Sequence, residues 1–355
     1  MSGSGMGRRK FFQLAIGAGG MAALGYAWQR HSRFGSGGST LSEIVKAGPA
    51  LASLTPVTRK SYALGSEIEM TVLHADAEAG RKALDAAFEE LETVESVMSV
   101  YRPQSQISRL NRDGVCNDPH PYFVACTKAA IDMSRRSNGA FDATVQPLWD
   151  LYSAAQKKNA LPTATDLDTA RKLVDWKKIE CSDSSIRLGE KGMSLTYNGI
   201  AQGYAADRCA DVLKKMGVEH ALVNAGEINC IGAKQNSQPW SVGIQHPRKP
   251  NAYIAMADLN GLCLATSGDY ATTFTPDFLY HHIFDPATGK SPLTFSSASI
   301  IAASATDADA LTKVFFVGGV ELGLKLLDET PKGAALLVYK DGRTFATRNF
   351  PFAGC

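Results

Sequence analysis

Two turn signals constrain the fold of this chain more than any other feature. Asn260-Gly261 separates the apolar-rich runs 254–258 and 263–266, and Asp341-Gly342 separates 334–339 and 344–347. Asn-Gly and Asp-Gly accept the positive φ angles of the two-residue turns that join antiparallel strands. Strands that meet through such turns build antiparallel sheets, whereas a doubly wound fold needs a crossover between parallel neighbours. Further strand character lies at 62–74, where Ile68, Met70 and Val72 alternate, at 221–223, at Trp240, Val242 and Ile244, and at 299–303. Helical periodicity fills the gaps. In 81–98, Leu84, Ala87, Phe88, Leu91, Val94 and Met98 form one apolar stripe. Helices are also expected at 121–137, stopped by Asn138-Gly139, at 166–173, at 203–216, stopped by Gly217, and at 307–317 and 320–327. The expected fold class is α+β, with hairpin-rich antiparallel sheets and packed helices.

The N-terminus reads differently. Arg8, Arg9 and Lys10 precede Phe11 and Phe12, and a mild apolar run at 14–27 is diluted by Gly17, Gly19, Gly20 and Gly25. A basic start ahead of a short apolar run is a secretion signal, and paired arginines point to the twin-arginine (Tat) route. Residues 1–38 are therefore expected to be signal and linker, with the periplasm as destination. Cleavage after Ala27 and retention as an uncleaved membrane anchor both remain open. A short helix is expected at 41–53, the body proper begins near Arg59, and 39–355 is expected to be one domain with room for two lobes. The net charge of +2 without a long basic run argues against nucleic-acid binding. The seven cysteines are odd in number and lack any C-x-x-C, which argues against zinc, iron–sulfur clusters and a disulfide framework.

No P-loop, no G-x-G-x-x-G after a strand and no G-x-S-x-G occurs. Six polar, glycine-rich clusters stand in their place. They are Ser99 with Tyr101, then Ser105, Ser108 and Asn111; Gly139 to Leu148; Asn198-Gly199-Ile200-Ala201-Gln202-Gly203-Tyr204; Ala265-Thr266-Ser267-Gly268-Asp269-Tyr270; His281-His282-Ile283-Phe284-Asp285-Pro286 with Thr288-Gly289; and Ala308-Asp309-Ala310 with Thr312. The third opens a helix, whose first amides can hold an anion such as a pyrophosphate. Several of these residues carry two readings. Asp142 is either a turn cap or a ligand contact. His281 and His282 are either a satisfied pair or a site. Asp309 and Thr312 either lie on a capped face, with Asp309 pairing Lys313 at i+4, or present hard oxygen ligands to Mg²⁺.

Taken together and in this order, the clusters resemble the ApbE family of FAD:protein FMN transferases, from Tyr62 to the C-terminus. The most specific piece is His282-x-x-Asp285-Pro286-x-Thr288-Gly289. The resemblance implies an ApbE-like fold. It also implies an enzyme that splits FAD with Mg²⁺, attaches FMN to a Thr or Ser of a target flavoprotein and releases AMP. It makes His282 the base for the acceptor hydroxyl, and Asp285 the residue that orients the loop or holds a bound group. Flavin and adenine contacts would fall on Leu64, Tyr101, Ala140, Phe141, Asp142, Thr196, Gln202 and Phe284, with Ser267, Gly268 and Thr288 beside them. The metal would be held by the Gly199 carbonyl, Asp309 and Thr312.

The chain departs from the family at several positions. Lys313 stands where a Thr metal ligand is usual, Thr196 where an acidic residue is usual, and Gln202 where Lys or Glu is common. Asn224-Ala225-Gly226-Glu227 has one glycine in place of a pair. An ammonium at 313 would favour retention of FAD while weakening Mg²⁺ binding. Within the family, a twin-arginine signal is similar to the NosX-type exported branch of nitrous oxide respiration, which implies a NosR-like membrane flavoprotein as acceptor. Two other readings stand beside an active transferase: a carrier that holds FAD without cutting it, and an assembly protein for a respiratory complex.

Overall fold

The computed structural model describes residues 54–234 and 237–354. The twin-arginine segment, the linker, the helix expected at 41–53 and Cys355 lie outside the described residues.

The chain enters through strands β1 (Thr55–Ala63) and β2 (Ser66–His74), paired antiparallel from Thr55↔His74 to Ala63↔Ser66. The sequence reading took 62–74 as a single strand. Instead, the chain reverses at Leu64 and Gly65, whose φ angles of 49° and 78° are those of a primed two-residue turn. Leucine rarely takes that position, so the turn carried no sequence signal.

Helix α1 (Ala77–Met98) follows, capped by the Asp76 carboxylate, which accepts from the amides of Glu78 and Ala79. Its buried stripe contains the six residues expected from the periodicity. Next come α2 (Gln106–Asp113), the short strand β3 (Val115–Asn117), α3 (Pro121–Arg136), α4 (Gln146–Gln156) and α5 (Ala164–Arg171). Strands β4 (Ile179–Cys181) and β5 (Ser185–Leu188) complete a small three-stranded sheet ordered β3-β5-β4. Helix α6 (Ala201–Lys215) leads into β6 (Ala221–Asn224), β7 (Ile228–Ile231), β8 (Trp240–His246), β9 (Lys249–Leu259), β10 (Cys263–Gly268) and β11 (Phe295–Ala302). Helix α7 (Ala305–Asp328) and the hairpin β12 (Ala334–Tyr339) and β13 (Thr344–Ala346) close the chain.

Eight strands form one sheet, ordered β1-β2-β6-β7-β10-β11-β12-β13, and every neighbouring pair is antiparallel. The α+β expectation holds. One hairpin does not. Asn260-Gly261 joins β9 to β10, yet β9 pairs with β8 and bridges to the C-terminal segment at Ala257↔Phe352, while β10 pairs with β7 and β11. The turn is a corner that carries the chain from a two-stranded ribbon into the main sheet. Burial forces the corner. Alternate residues of the sheet, among them Leu222, Ile228, Leu264, Ile301 and Leu336, pack against Trp240, Val242, Ile244 and Leu259 of the ribbon. The opposite residues, Met70, Val72, Val223, Ala265 and Ile300, pack with α1, α6 and α7 in the larger core. A sheet covered on both faces removes more apolar area from water than an open hairpin could.

The sequence split the last long helix between 317 and 320. Helix α7 is indeed broken there, at Gly319 with φ 76° and ψ −171°, a conformation that glycine adopts at least cost.

Candidate functional site

The site is organised where α6 and α7 begin. A Cβ on Gly203 would lie 2.2 Å from the Ala305 carbonyl oxygen, so only glycine lets the two helix starts touch. One turn further along α6, the Asp207 carboxylate accepts from the amides of Ala305 and Thr306, each at 2.9 Å. A side chain of one helix thus caps the other. The crossing also lets the Gly203 amide donate to Asp309 Oδ2 at 3.1 Å.

Two adjoining hollows open beside this crossing. The larger encloses about 1140 Å³, solvent at its mouth included, and is lined by Leu64, Ser66, Tyr101, Gln202, Glu227, Ser267, Gly268 and Tyr270 among others. The smaller, about 660 Å³ on the same measure, is walled by Ala140, Phe141, Asp142, Thr196, Gly199 and Phe284. Four residues belong to both: Trp149, Asn198, His282 and Lys313. Twelve of the sixteen residues named from the sequence therefore line one continuous cleft, with His282 at the junction.

Several of them also hold the walls together. Gln202 Nε2 donates to Ser66 Oγ at 2.8 Å, tying α6 to the β1–β2 turn. Tyr101 is 62% exposed, and its hydroxyl accepts from Asn198 Nδ2 at 3.4 Å across the mouth. Asp142 realises its turn-cap reading. It accepts from Thr144 N, Thr144 Oγ1 and Trp176 N at 2.8, 2.6 and 3.1 Å, while burial holds its pKa above the usual carboxylate range. The Ser105–Asn111 cluster is scaffold as well. Ser105 caps α2, and Asn111 makes a two-way pair with the Leu195 backbone at 2.7 and 2.8 Å.

The remaining four residues stand outside the cleft surface. Asp285 accepts from Ala287 N at 2.9 Å and Thr288 Oγ1 at 2.8 Å, so it orients its loop, and Thr288 sits exposed on that loop's outer side. Asp309 and Thr312 are fully buried beneath the cleft. Of the two readings of Asp309, the i+4 pair is the one formed: Lys313 Nζ meets Oδ1 and also reaches the Asp309 carbonyl at 3.2 Å. Thr312 Oγ1 donates to that same carbonyl at 2.6 Å, and so accepts from Ser267 Oγ at 2.6 Å.

These donors do not fit a magnesium ion. The cation asks for near-octahedral oxygens at about 2.0–2.1 Å. Here the one carboxylate already carries an ammonium, and the one hydroxyl is committed to its neighbours. Among the described residues, no three His, Cys, Asp or Glu side chains gather into a metal-holding group.

Three further features had no role assigned from the sequence. Glu227 is buried beside the cleft and accepts from Thr266 N at 3.0 Å; burial and then the Asp309 charge push its pKa well above the carboxylate range. An acidic residue directly after the Asn224-Ala225-Gly226 turn was its only signal. Trp149 lies on α4, a helix the reading left unassigned. The third feature is remote in sequence. Asp269 is fully buried, accepts from both terminal nitrogens of Arg248 at 2.7 Å, and meets Lys340 Nζ at 3.0 Å. This brace fixes the root of the loop that carries Thr272 and His282. His282 Nδ1 lies 3.3 Å from the Thr272 carbonyl. A carbonyl only accepts, so Nδ1 carries the proton and Nε2 is the basic nitrogen of the neutral ring. Its neighbour His281 is buried, with Nε2 2.9 Å from the Pro292 carbonyl.

Residues 64–338 match the sequence profile of the ApbE family. The chain belongs to the ApbE family. An FAD:protein FMN transferase of Treponema pallidum is 31% identical over 291 residues, covering 75% of this chain and 79% of that one. The crystal structure of an ApbE protein from Thermotoga maritima superposes with a TM-score of 0.75 at 27% identity, covering 83% of this chain and 97% of that one. The apo flavinyl transferase ApbE of Pseudomonas stutzeri gives 0.73 at 26% identity, covering 85% and 97%. The mixed, antiparallel architecture expected from the sequence is thus that of solved ApbE structures.

Proposed function

We propose that this ApbE protein is an FAD:protein FMN transferase, moving FMN from FAD to a Thr or Ser hydroxyl of an acceptor flavoprotein. The observation that carries this reading is the double hollow with His282 at its junction. A dinucleotide has two ring systems joined by a diphosphate, and two chambers meeting at a basic nitrogen match that outline. The apolar chamber offers Phe141, Phe284 and Trp149 to a planar ring.

In the step itself, His282 Nε2 takes the proton of the acceptor hydroxyl. The hydroxyl oxygen attacks the phosphorus on the FMN side, the bond to the bridging oxygen breaks, and AMP leaves with that oxygen. Asp285 keeps the loop of His282 closed through Ala287 and Thr288. The twin-arginine segment supports export by the Tat translocase and action in the periplasm. A NosR-like membrane flavoprotein of nitrous oxide respiration is the acceptor we favour.

Intact-mass measurement of an acceptor domain after incubation with FAD tests the reading. A gain of one FMN, matched by AMP and lost in His282→Ala, is expected. An unmodified acceptor, with FAD still held by the protein, would establish the second reading, a carrier that does not cut. The closed Lys313–Asp309 pair favours that alternative.

A further inference from the structure

The cleft contains one cation that nothing in the transfer chemistry has yet used. Lys313 lies on α7 one turn beyond Asp309, and its side chain is 16% exposed. Its stem is clasped: a Cβ on Gly199 would lie 3.3 Å from Lys313 Cε and 3.4 Å from Phe141 Cε2. Position 313 is therefore held by packing as well as by charge. Of the three N–H bonds of the ammonium, two are accounted for by Asp309, at Oδ1 and at the carbonyl oxygen. The third is the one a ligand oxygen can take. Lys313 lines both hollows, so that ligand oxygen belongs to whatever group bridges them.

We infer that the Lys313 ammonium is a built-in counter-charge for the diphosphate of the bound dinucleotide, and that the protein binds its substrate without a divalent cation. The inference rests on the reading that FAD is the substrate. A dication placed at Gly199, Asp309 and Thr312 would sit against the ammonium and compete with it for the same carboxylate. The two arrangements exclude each other, and the one formed needs no ion from solution. A fixed ammonium also requires no ordering when the ligand arrives, because Asp309 has already oriented it.

Calorimetric titration with FAD and with ADP, in EDTA and in millimolar MgCl₂, tests the inference on the full-length protein. The expected result for the unaltered chain is an FAD affinity that changes by less than about twofold between the two buffers, and no heat from MgCl₂ alone. Lys313→Thr should bind at least about tenfold more weakly in EDTA and recover with Mg²⁺. Lys313→Arg should keep metal-independent binding, which controls for folding because it preserves the charge opposite Asp309. An affinity of the unaltered protein that rises tenfold or more with Mg²⁺ overturns the inference without any variant. So does a Lys313→Thr protein that binds like the parent in EDTA. If FAD fails to bind while ADP binds in EDTA through Lys313, the counter-charge stands and the choice of FAD falls. If neither ligand binds, both fall.

Discussion

Asp269 and Asp309 are both fully buried carboxylates with cationic partners, and the difference between their surroundings separates scaffold from site. Asp269 is gripped by two cations from different parts of the chain, Arg248 on the β8–β9 turn and Lys340 after β12. Arg248 also lies over the Phe278 ring, 4.3 Å from its centre. None of these four residues lines either hollow, and together they pin the ribbon, the main sheet and the 269–282 loop to one point. Asp309 has a single cation from its own helix, and that cation lines both hollows. The neighbouring histidines divide in the same way. His281 is sealed in, and burial lowers its pKa to about 4, while His282 stands at the junction of the cleft. A buried carboxylate paired with two cations braces a fold, whereas Asp309 pairs with one cation, whose ammonium faces a cavity and keeps one N–H for a ligand.

The comparison breaks most sharply if His282→Ala leaves transfer intact. On the proposed function, in which His282 is the general base, its loss should lower the transfer rate by about 10²–10⁴-fold. FAD affinity and thermal midpoint should stay near those of the parent, as calorimetry and thermal melts would show.

The brace predicts the opposite pattern for Arg248→Ala. Removing the bidentate partner strands a buried carboxylate with Lys340 alone, and urea unfolding should report a loss on the order of 3 kcal/mol. The folded fraction should still bind FAD. A variant with parental stability but no FAD binding would move Arg248 from the scaffold into the site.

His281 sharpens the same boundary through pH. Its folded pKa lies below the ordinary value of 6.5, so between about 4 and 6.5 the unfolded chain binds the extra proton. Its stabilising contribution is complete above 6.5 and is lost as pH falls toward about 4, a change on the order of 3 kcal/mol. His281→Gln should flatten this stretch of the stability curve relative to the parent. A parallel pair of curves would show that other groups govern the acid limb.

The smallest effect is expected from Ser267→Ala. Thr312 keeps its own donation to the Asp309 carbonyl, so only one hydroxyl contact is lost, costing about 1 kcal/mol or less in thermal melts. A larger loss would mean that the Ser267–Thr312 pair positions Asp309.

Much of this was legible in the chain itself. The stripe of α1, the stop after α3 at Asn138-Gly139, the break in α7 at Gly319 and the closing hairpin at Asp341-Gly342 all follow from local periodicity and turn chemistry. The candidate site residues came instead from the family resemblance of the polar clusters, and twelve of the sixteen line one cleft. Two turns were misread for opposite reasons. Leu64-Gly65 reverses the chain without a turn-forming residue at its first position. Asn260-Gly261 has the strongest hairpin signal in the sequence and joins strands that do not pair, because β9 is paired in the ribbon with β8 and β10 lies in the main sheet between β7 and β11.

The sequence by itself determined most helices, most strand positions and the α+β class, because periodicity and caps act over a few residues, whereas the candidate site residues came from the resemblance of its ordered polar clusters to the ApbE family. Only the tertiary structure decided between the two employments of Asp309. An aspartate with a lysine four residues on is compatible with a solvated helix face or a metal shell. Burial of that face against Gly203 and Gly199 excluded water and turned the pair into a fixed ion pair at the edge of a cavity. The Asp269 brace was likewise invisible, because its partners are separated by 21 and 71 residues in the chain and meet only when the ribbon folds onto the sheet.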